Sequence, residues 1–103
     1  INTVKSSPKL EFKDGTKSMF LDPQDIYFLK SDNIYVEIHH VNGRFLERIS
    51  LDKIAERLPD YFYRSHRSYI VNSKNVTELK SSELKIAGQT VPISRTYKSN
   101  FKK

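Results

Sequence analysis

The 103-residue sequence contains no cysteine and no tryptophan, and it has a single methionine and three glycines. Without cysteine, disulfide bonds, zinc fingers and thiol catalysis are excluded. The glycines are scattered among predicted turns, so they form no loop that could cradle a phosphate. The longest apolar run, Ile26 to Leu29, is far shorter than the about 20 residues of a membrane-spanning helix. No signal peptide is recognisable. We therefore expect a cytoplasmic domain without a cofactor.

Side chains that could carry catalysis or bind a metal are few and badly placed. His39 and His40 are adjacent on a predicted strand and point to opposite faces, so we expect one at the surface and one packed rather than a metal site. A hydrolase would use Ser65 or Ser68 with His66, but no nucleophile elbow surrounds these serines. We predict that the chain is not an enzyme, and keep this hydrolase as an alternative.

Positive charge is what the sequence has in excess: 18 Lys and Arg against 12 Asp and Glu give a formal net charge of +6. A positive net charge favours binding to a negatively charged partner such as nucleic acid, an anionic membrane surface or an acidic protein. Two clusters carry basic and polar side chains suited to bases and phosphates. The first comprises Arg64, His66, Arg67, Ser68 and Asn72, and the second comprises Arg95, Tyr97 and Lys98, extended by Lys102 and Lys103. An RNA-binding or protein-interaction β module with a basic face remains an alternative.

The sequence pattern predicts a mostly-β domain over residues 9–103, preceded by a polar linker over residues 1–8. Asp14-Gly15 and Asn42-Gly43 separate alternating segments and predict β-hairpins. The many short strands therefore indicate antiparallel sheets joined by hairpins.

Two helical segments are predicted as well. An amphipathic helix is expected at about residues 51–58, with Ser50 as its N-cap, an apolar stripe packed on a sheet, and Pro59 at its end. Its charged residues, Lys53, Glu56 and Arg57, are expected to face solvent. A short helical turn should run from Ser94 to about Phe101.

The stretch YRSHRSYIVN, Tyr63 to Asn72, does not fit a straight strand. In a regular strand Phe62 and Ile70 would share a face with Arg64 and His66, which makes a poor core. We therefore predict a break in the pleat near residues 65–68. Such an irregular segment could present both Arg64 and Arg67 to one partner.

Three segments resemble the LytTR DNA-binding domain: FYRSHRSYIVNSKNV from Phe62 to Val76, VPISRTYKSNF from Val91 to Phe101, and DIYFLKSDNIYVEI from Asp25. The resemblance covers about residues 10–101. It implies a fold of antiparallel sheets, typically at the C-terminus of bacterial response regulators of two-component systems. The implied partner is double-stranded promoter DNA, bound at paired repeats, with a homodimer as one arrangement. An upstream receiver or sensory domain is expected in the full-length protein. Loops would enter successive major grooves and bend the DNA, whose bending cost depends on its sequence.

The resemblance also assigns expectations to single residues. The loop with Asp32, Asn33 and Tyr35 should reach one groove, and Arg95 should read bases in the other. The region Arg64 to Ser68 should contact the backbone between them, with base contacts left open. Lys98 fits a phosphate contact, and His66 fits either a contact or a scaffold role. Ile34 stands where many members have Asn before the tyrosine, so the base read by that loop stays open.

Overall fold

A computed structural model describes residues 9–101; the predicted linker, Lys102 and Lys103 lie outside this range. Strands β1 (Leu10–Asp14) and β2 (Lys17–Leu21) form a two-stranded sheet. A five-stranded sheet has the order β5-β4-β3-β7-β6, with β3 Ile26–Asp32, β4 Tyr35–His40, β5 Gly43–Glu47, β6 Phe62–His66 and β7 Tyr69–Asn72. A three-stranded sheet has the order β10-β9-β8, with β8 Val76–Leu79, β9 Glu83–Ile86 and β10 Gln89–Pro92. The strand pairs are antiparallel, as predicted.

Both hairpins predicted from the turn dipeptides are present. Asp14 pairs with Lys17 across the first turn, and His40 pairs with Gly43 across the second. Gly15 has φ of 68°, a left-handed conformation that glycine adopts without steric cost. The polar interruption after Ser31 is a third hairpin turn, in which Asp32 pairs with Tyr35.

The predicted break in YRSHRSYIVN is also present. Strands β6 and β7 form a hairpin whose turn is Arg67-Ser68, and the pairing shifts register between Arg64 and His66. At this bulge Ser65 is buried, and Ile70 and Val71 of β7 lie in the core.

The main helix is shorter than predicted. Helix α1 spans Leu51–Ala55, and Ser50 caps it by accepting a hydrogen bond from the Lys53 N–H. The segment to Leu58 continues in tighter turns, because the Arg57 N–H bonds the Ile54 carbonyl and the Leu58 N–H bonds the Ala55 carbonyl, each three residues back. The C-terminal helical turn is a 3₁₀ helix, Arg95–Phe101; two shorter 3₁₀ turns span Pro23–Asp25 and Ser73–Asn75.

The five-stranded sheet is the middle layer, because its two faces bury different hydrophobic clusters. Adjacent residues of one strand point to opposite faces: Ile70 belongs to one cluster and Val71 to the other. The first cluster joins the sheet to the β1–β2 hairpin and α1, and includes Phe12, Leu21, Ile26, Leu29, Leu51 and Ile54. The second joins it to the three-stranded sheet, and includes Phe28, Leu84, Ile86, Val91 and Ile93.

Two predictions were wrong, that Arg57 faces solvent and that one of His39 and His40 lies at the surface. Arg57 is not simply solvated: its guanidinium bonds Glu47 Oε1 at 3.1 Å and Oε2 at 2.9 Å, and it also donates to the Glu11 carbonyl at 3.1 Å. The hydrogen bond with Glu47 raises the pKa of Arg57, although burial opposes it. Of the two histidines, His40 is buried, and His39 is largely covered because its ring stacks on Phe28 at 4.2 Å.

Candidate nucleic-acid interface

The turn between β6 and β7 is the centre of the candidate interface, because two other segments are hydrogen-bonded to this hairpin. The Ser31 N–H, at the end of β3, donates to the Ser68 carbonyl at 2.8 Å. The Ser94 N–H, just before the 3₁₀ helix Arg95–Phe101, donates to the Ser65 carbonyl at 2.8 Å. The three predicted DNA-contacting regions are therefore brought together around one β-hairpin.

Arg64 holds this turn in place. Its Nη2 donates to the Arg67 carbonyl at 2.6 Å and its Nε to the His66 carbonyl at 3.2 Å, so the guanidinium bridges the main chain of the turn. Its Nη1 pairs with Asp52 Oδ1 at 2.8 Å, and its guanidinium carbon lies 5.9 Å from the centre of the Tyr97 ring. The Arg64 side chain is 23% exposed and bonded within the turn, whereas Arg67 is exposed; the presentation of both to one partner stays a prediction.

His66 also makes contacts within the hairpin. Its Nδ1 accepts a hydrogen bond from the Ser68 N–H at 3.1 Å, and its ring meets the Tyr69 ring edge-on at 5.7 Å. These contacts fix the imidazole on the turn and favour the scaffold role among the two that the sequence left open.

Asn72 was predicted as a DNA contact, but it is completely buried. Its Nδ2 donates to the Ile26 carbonyl at 3.0 Å and is 3.4 Å from the Pro23 carbonyl, while its Oδ1 accepts from the Lys74 N–H. The side chain thus joins the end of β7 to the start of β3. An asparagine that begins a polar turn commonly bonds the N–H two residues on, which is a signal for this role in the sequence.

The remaining predicted site residues keep accessible surface. Asp32, Asn33, Tyr35, Arg67, Arg95 and Lys98 are exposed, and Ser68 and Tyr97 are half-buried. In the β3–β4 turn Asn33 has φ of 60°, which makes a tight two-residue connection possible. Tyr35 lies beside a groove that Gly15, Leu46 and Arg48 also line, on the side of the β1–β2 hairpin.

The 3₁₀ helix that carries Arg95 and Lys98 is fixed at both ends. Ser94 is bonded to Ser65 at its start, and Asn100 Nδ2 donates to the Arg64 carbonyl at 2.9 Å near its end. The Phe101 ring also packs edge-on against Tyr63 at 6.1 Å. Asn100 is a positioning residue that was not predicted, since nothing in the neighbouring sequence distinguishes it from an asparagine that faces solvent.

The hydrolase alternative with Ser65 as nucleophile does not fit the geometry. The hydroxyl of Ser65 is buried and makes no hydrogen bond within residues 9–101, and a nucleophile must be reachable by substrate. His66 Nδ1 is bonded to the main-chain N–H of Ser68 rather than to a hydroxyl. In the described part of the chain, no three His, Asp or Glu residues are grouped as metal ligands. No helix there is long and apolar enough to span a membrane.

The described residues form a mostly-β domain of antiparallel sheets with basic and polar turns around one hairpin. The family model described as the LytTr DNA-binding domain matches residues 16–103. The chain belongs to this family, which confirms the resemblance seen in the sequence.

Curated relatives and a solved structure agree with this assignment. The chain is 33% identical over 98 residues to the sensory transduction protein LytT of Oceanobacillus iheyensis, covering 85% of this chain and 40% of the relative. It is 32% identical over 75 residues to the accessory gene regulator protein A of Staphylococcus aureus, covering 72% of this chain and 32% of the relative. The chain thus spans less than half the length of these relatives. A LytTr DNA-binding domain of a Bacillus cereus response regulator shares the fold, with a TM-score of 0.76, 24% identity, and coverage of 92% of this chain and 94% of that one.

Proposed function

We propose that the chain binds double-stranded promoter DNA sequence-specifically, as the effector domain of a bacterial transcriptional regulator. The observation that carries the proposal is a pair of main-chain hydrogen bonds to the β6–β7 hairpin. They come from Ser31 at the end of β3 and from Ser94 just before the C-terminal 3₁₀ helix. This arrangement holds Arg67, Arg95 and Lys98 on segments fixed to one another. A preorganised set of donors binds with less loss of conformational entropy than the same donors on free loops.

The exposed residues divide into base readers and phosphate contacts. Arg95 and Arg67 can each donate two parallel hydrogen bonds to guanine, whereas Lys98 is a point charge suited to a phosphate. Asp32 and Asn33 would face base edges in a neighbouring major groove. Arg64 and Asn72 support the interface from inside, together with His66 and Tyr97.

The proposal extends to the full-length protein. Relatives named as a sensory transduction protein and a gene regulator, each more than twice as long as the matched region, support a further domain in the full-length protein. We place a receiver or sensory domain upstream, and the protein in the cytoplasm with its promoter DNA. Loops inserted into successive major grooves would bend the DNA, and two copies of the chain would occupy paired repeats.

Salt dependence tests duplex binding directly. A duplex selected by this chain from a random pool should bind with an affinity that falls by roughly 10³ to 10⁵ between 50 and 200 mM salt, if about 6–10 phosphates are contacted. Fluorescence anisotropy measures this affinity at each salt concentration. A flat salt response, or no selectable duplex, would contradict the proposal.

An RNA-binding role finds less support in the structure. Binding to single strands uses exposed aromatic rings as stacking platforms. The exposed rings Phe20, Tyr35 and Tyr63 lie on three different strands, β2, β4 and β6. Competition between duplex and single-stranded nucleic acid separates the two functions.

A further inference from the structure

Ile34 is an exposed aliphatic residue at the tip of the β3–β4 turn. The turn consists of Asn33 and Ile34 alone, and Ile34 is 48% exposed. Such tips usually carry Gly, Asn, Asp or Ser, because these residues tolerate the backbone of a tight turn and bond their own main chain. Asn33 already provides the positive φ. Ile34 belongs to neither hydrophobic cluster among the described residues, so packing does not account for an aliphatic side chain here.

The surroundings of Ile34 are polar, and they place it beside the candidate interface. The Ser31–Ser68 hydrogen bond at 2.8 Å holds the end of β3 against the turn that carries Arg67. Asp32 and Asn33, next to Ile34 in the chain, are both exposed. A carboxylate at this tip repels DNA phosphates and can accept a hydrogen bond from the amino group of a base. The tip is therefore suited to base edges rather than to the DNA backbone.

We infer that Ile34 contacts the C5-methyl group of a thymine in the major groove and so sets base preference at that position. This inference rests on the proposed function. An isoleucine side chain has no hydrogen-bond donor or acceptor, so it can distinguish bases only by apolar contact. Of the groups that the four bases present in the major groove, the thymine methyl is the apolar one.

Replacing thymine by deoxyuridine tests this contact, because the two differ only by that methyl group. The duplex selected by this chain from a random pool is made with thymine, and then with deoxyuridine at one thymine position at a time. With deoxyuridine at the contacted position, the wild-type chain should bind about fourfold more weakly than it binds the thymine duplex. This factor corresponds to the free energy of burying one methyl group. Ile34→Ala should bind both duplexes equally well.

Val41→Ala is the matched control. Val41 is 47% exposed in the next hairpin turn, at the opposite end of β4, so this substitution removes a similar aliphatic surface away from the candidate interface. The Val41→Ala chain should keep the wild-type preference for thymine.

The outcomes separate this inference from the proposed function. The thymine contact is refuted, while DNA binding stands, in either of two cases. In the first, the wild-type chain binds the thymine and deoxyuridine duplexes equally at every position. In the second, the Ile34→Ala chain keeps the wild-type preference for thymine. If the chain selects no duplex at all, the proposed function itself fails.

Discussion

At the scale of single residues, Arg95 and Lys98 are two cations of different chemistry on one short helix. Both are exposed on the 3₁₀ helix Arg95–Phe101, three positions apart. The guanidinium of Arg95 is a planar fork of donors, whereas the ammonium of Lys98 is a compact charge without a preferred direction. The first can discriminate between bases, and the second attracts any phosphate.

We expect Arg95→Ala to reduce binding of the selected duplex by about 1–3 kcal/mol more than binding of an unrelated duplex. Lys98→Ala should weaken both about equally and lower the slope of affinity against salt by about one. Arg95→Lys keeps the charge without the fork, so it should retain non-specific affinity and lose specificity. Equal effects of Arg95→Ala and Lys98→Ala on the two duplexes would refute this division.

Residue type and clustering identified Arg67, Arg95 and Lys98 as surface cations, but they did not predict that Arg64 bonds the turn or that Asn72 is buried. Arg64 and Asn72 both donate to main-chain carbonyls: Arg64 to those of His66 and Arg67, and Asn72 to that of Ile26. Carbonyls that need a partner arise from the tertiary path of the chain. Amino-acid types alone therefore do not reveal which polar side chains will donate hydrogen bonds to these carbonyls.

At the scale of elements, the β6–β7 hairpin depends on Arg64 to fix its turn. The contact with the His66 carbonyl is partly shielded from water and the contact with the Arg67 carbonyl is exposed, while the ionic partner, Asp52, is 85% exposed on its side chain. An exposed ion pair contributes about 0–1 kcal/mol, while a hydrogen bond from a charged donor to a shielded acceptor contributes more. The carbonyl bonds, rather than the salt bridge, should dominate.

We therefore predict that Arg64→Ala lowers the free energy of unfolding by about 2–3 kcal/mol, and that Asp52→Asn lowers it by less than about 1 kcal/mol. Arg64→Lys should be less stable than the wild-type chain as well, because one ammonium cannot bond both the His66 and the Arg67 carbonyl as the forked guanidinium does. Urea denaturation of the three variants measures these differences. Equal losses in Arg64→Ala and Asp52→Asn would show that the ion pair is the main contribution.

Hairpins were predictable from the sequence, whereas the end of the helix was not. Asp14-Gly15 marks its turn by local chemistry alone, since the turn conformation needs residues that tolerate positive φ. Helix α1 ends early because the N–H groups before Pro59 bond carbonyls three residues back instead of four. The apolar stripe continues through Leu58 in either hydrogen-bonding pattern. Side-chain periodicity does not distinguish these two hydrogen-bonding patterns.

At the scale of the whole molecule, stability depends on ionisable groups held within the middle sheet. His40 and Glu37 both lie on β4, and both are largely buried. Burial lowers the pKa of His40, although Asp25 and Asp22 act against it. Burial raises the pKa of Glu37, but the hydrogen bond with His39 and the charges of Arg44, His39 and Lys30 together bring it below its ordinary value.

These two shifts predict a loss of stability on acidification in two steps. A lowered pKa in the folded state means that the unfolded chain takes up the proton first, so stability falls as the pH drops. For His40 the loss begins near its ordinary pKa of 6.5 and ends below its lower folded value. For Glu37 it begins near 4.5 and continues downward. The free energy of unfolding should therefore be greatest above pH 6.5, as urea denaturation across the pH range can show.

His40→Asn separates the two steps. His40 Nδ1 accepts a hydrogen bond from the Asn42 N–H at 3.1 Å, which requires that nitrogen to be unprotonated. The Oδ1 atom of an asparagine side chain can accept the same bond and does not titrate, so the β4–β5 turn should keep its hydrogen bond. In this variant the decline that begins near pH 6.5 should disappear, while the decline below pH 4.5, due to Glu37, should remain. If the variant keeps the wild-type pH dependence between 6.5 and 4.5, His40 is not the group responsible for the first step.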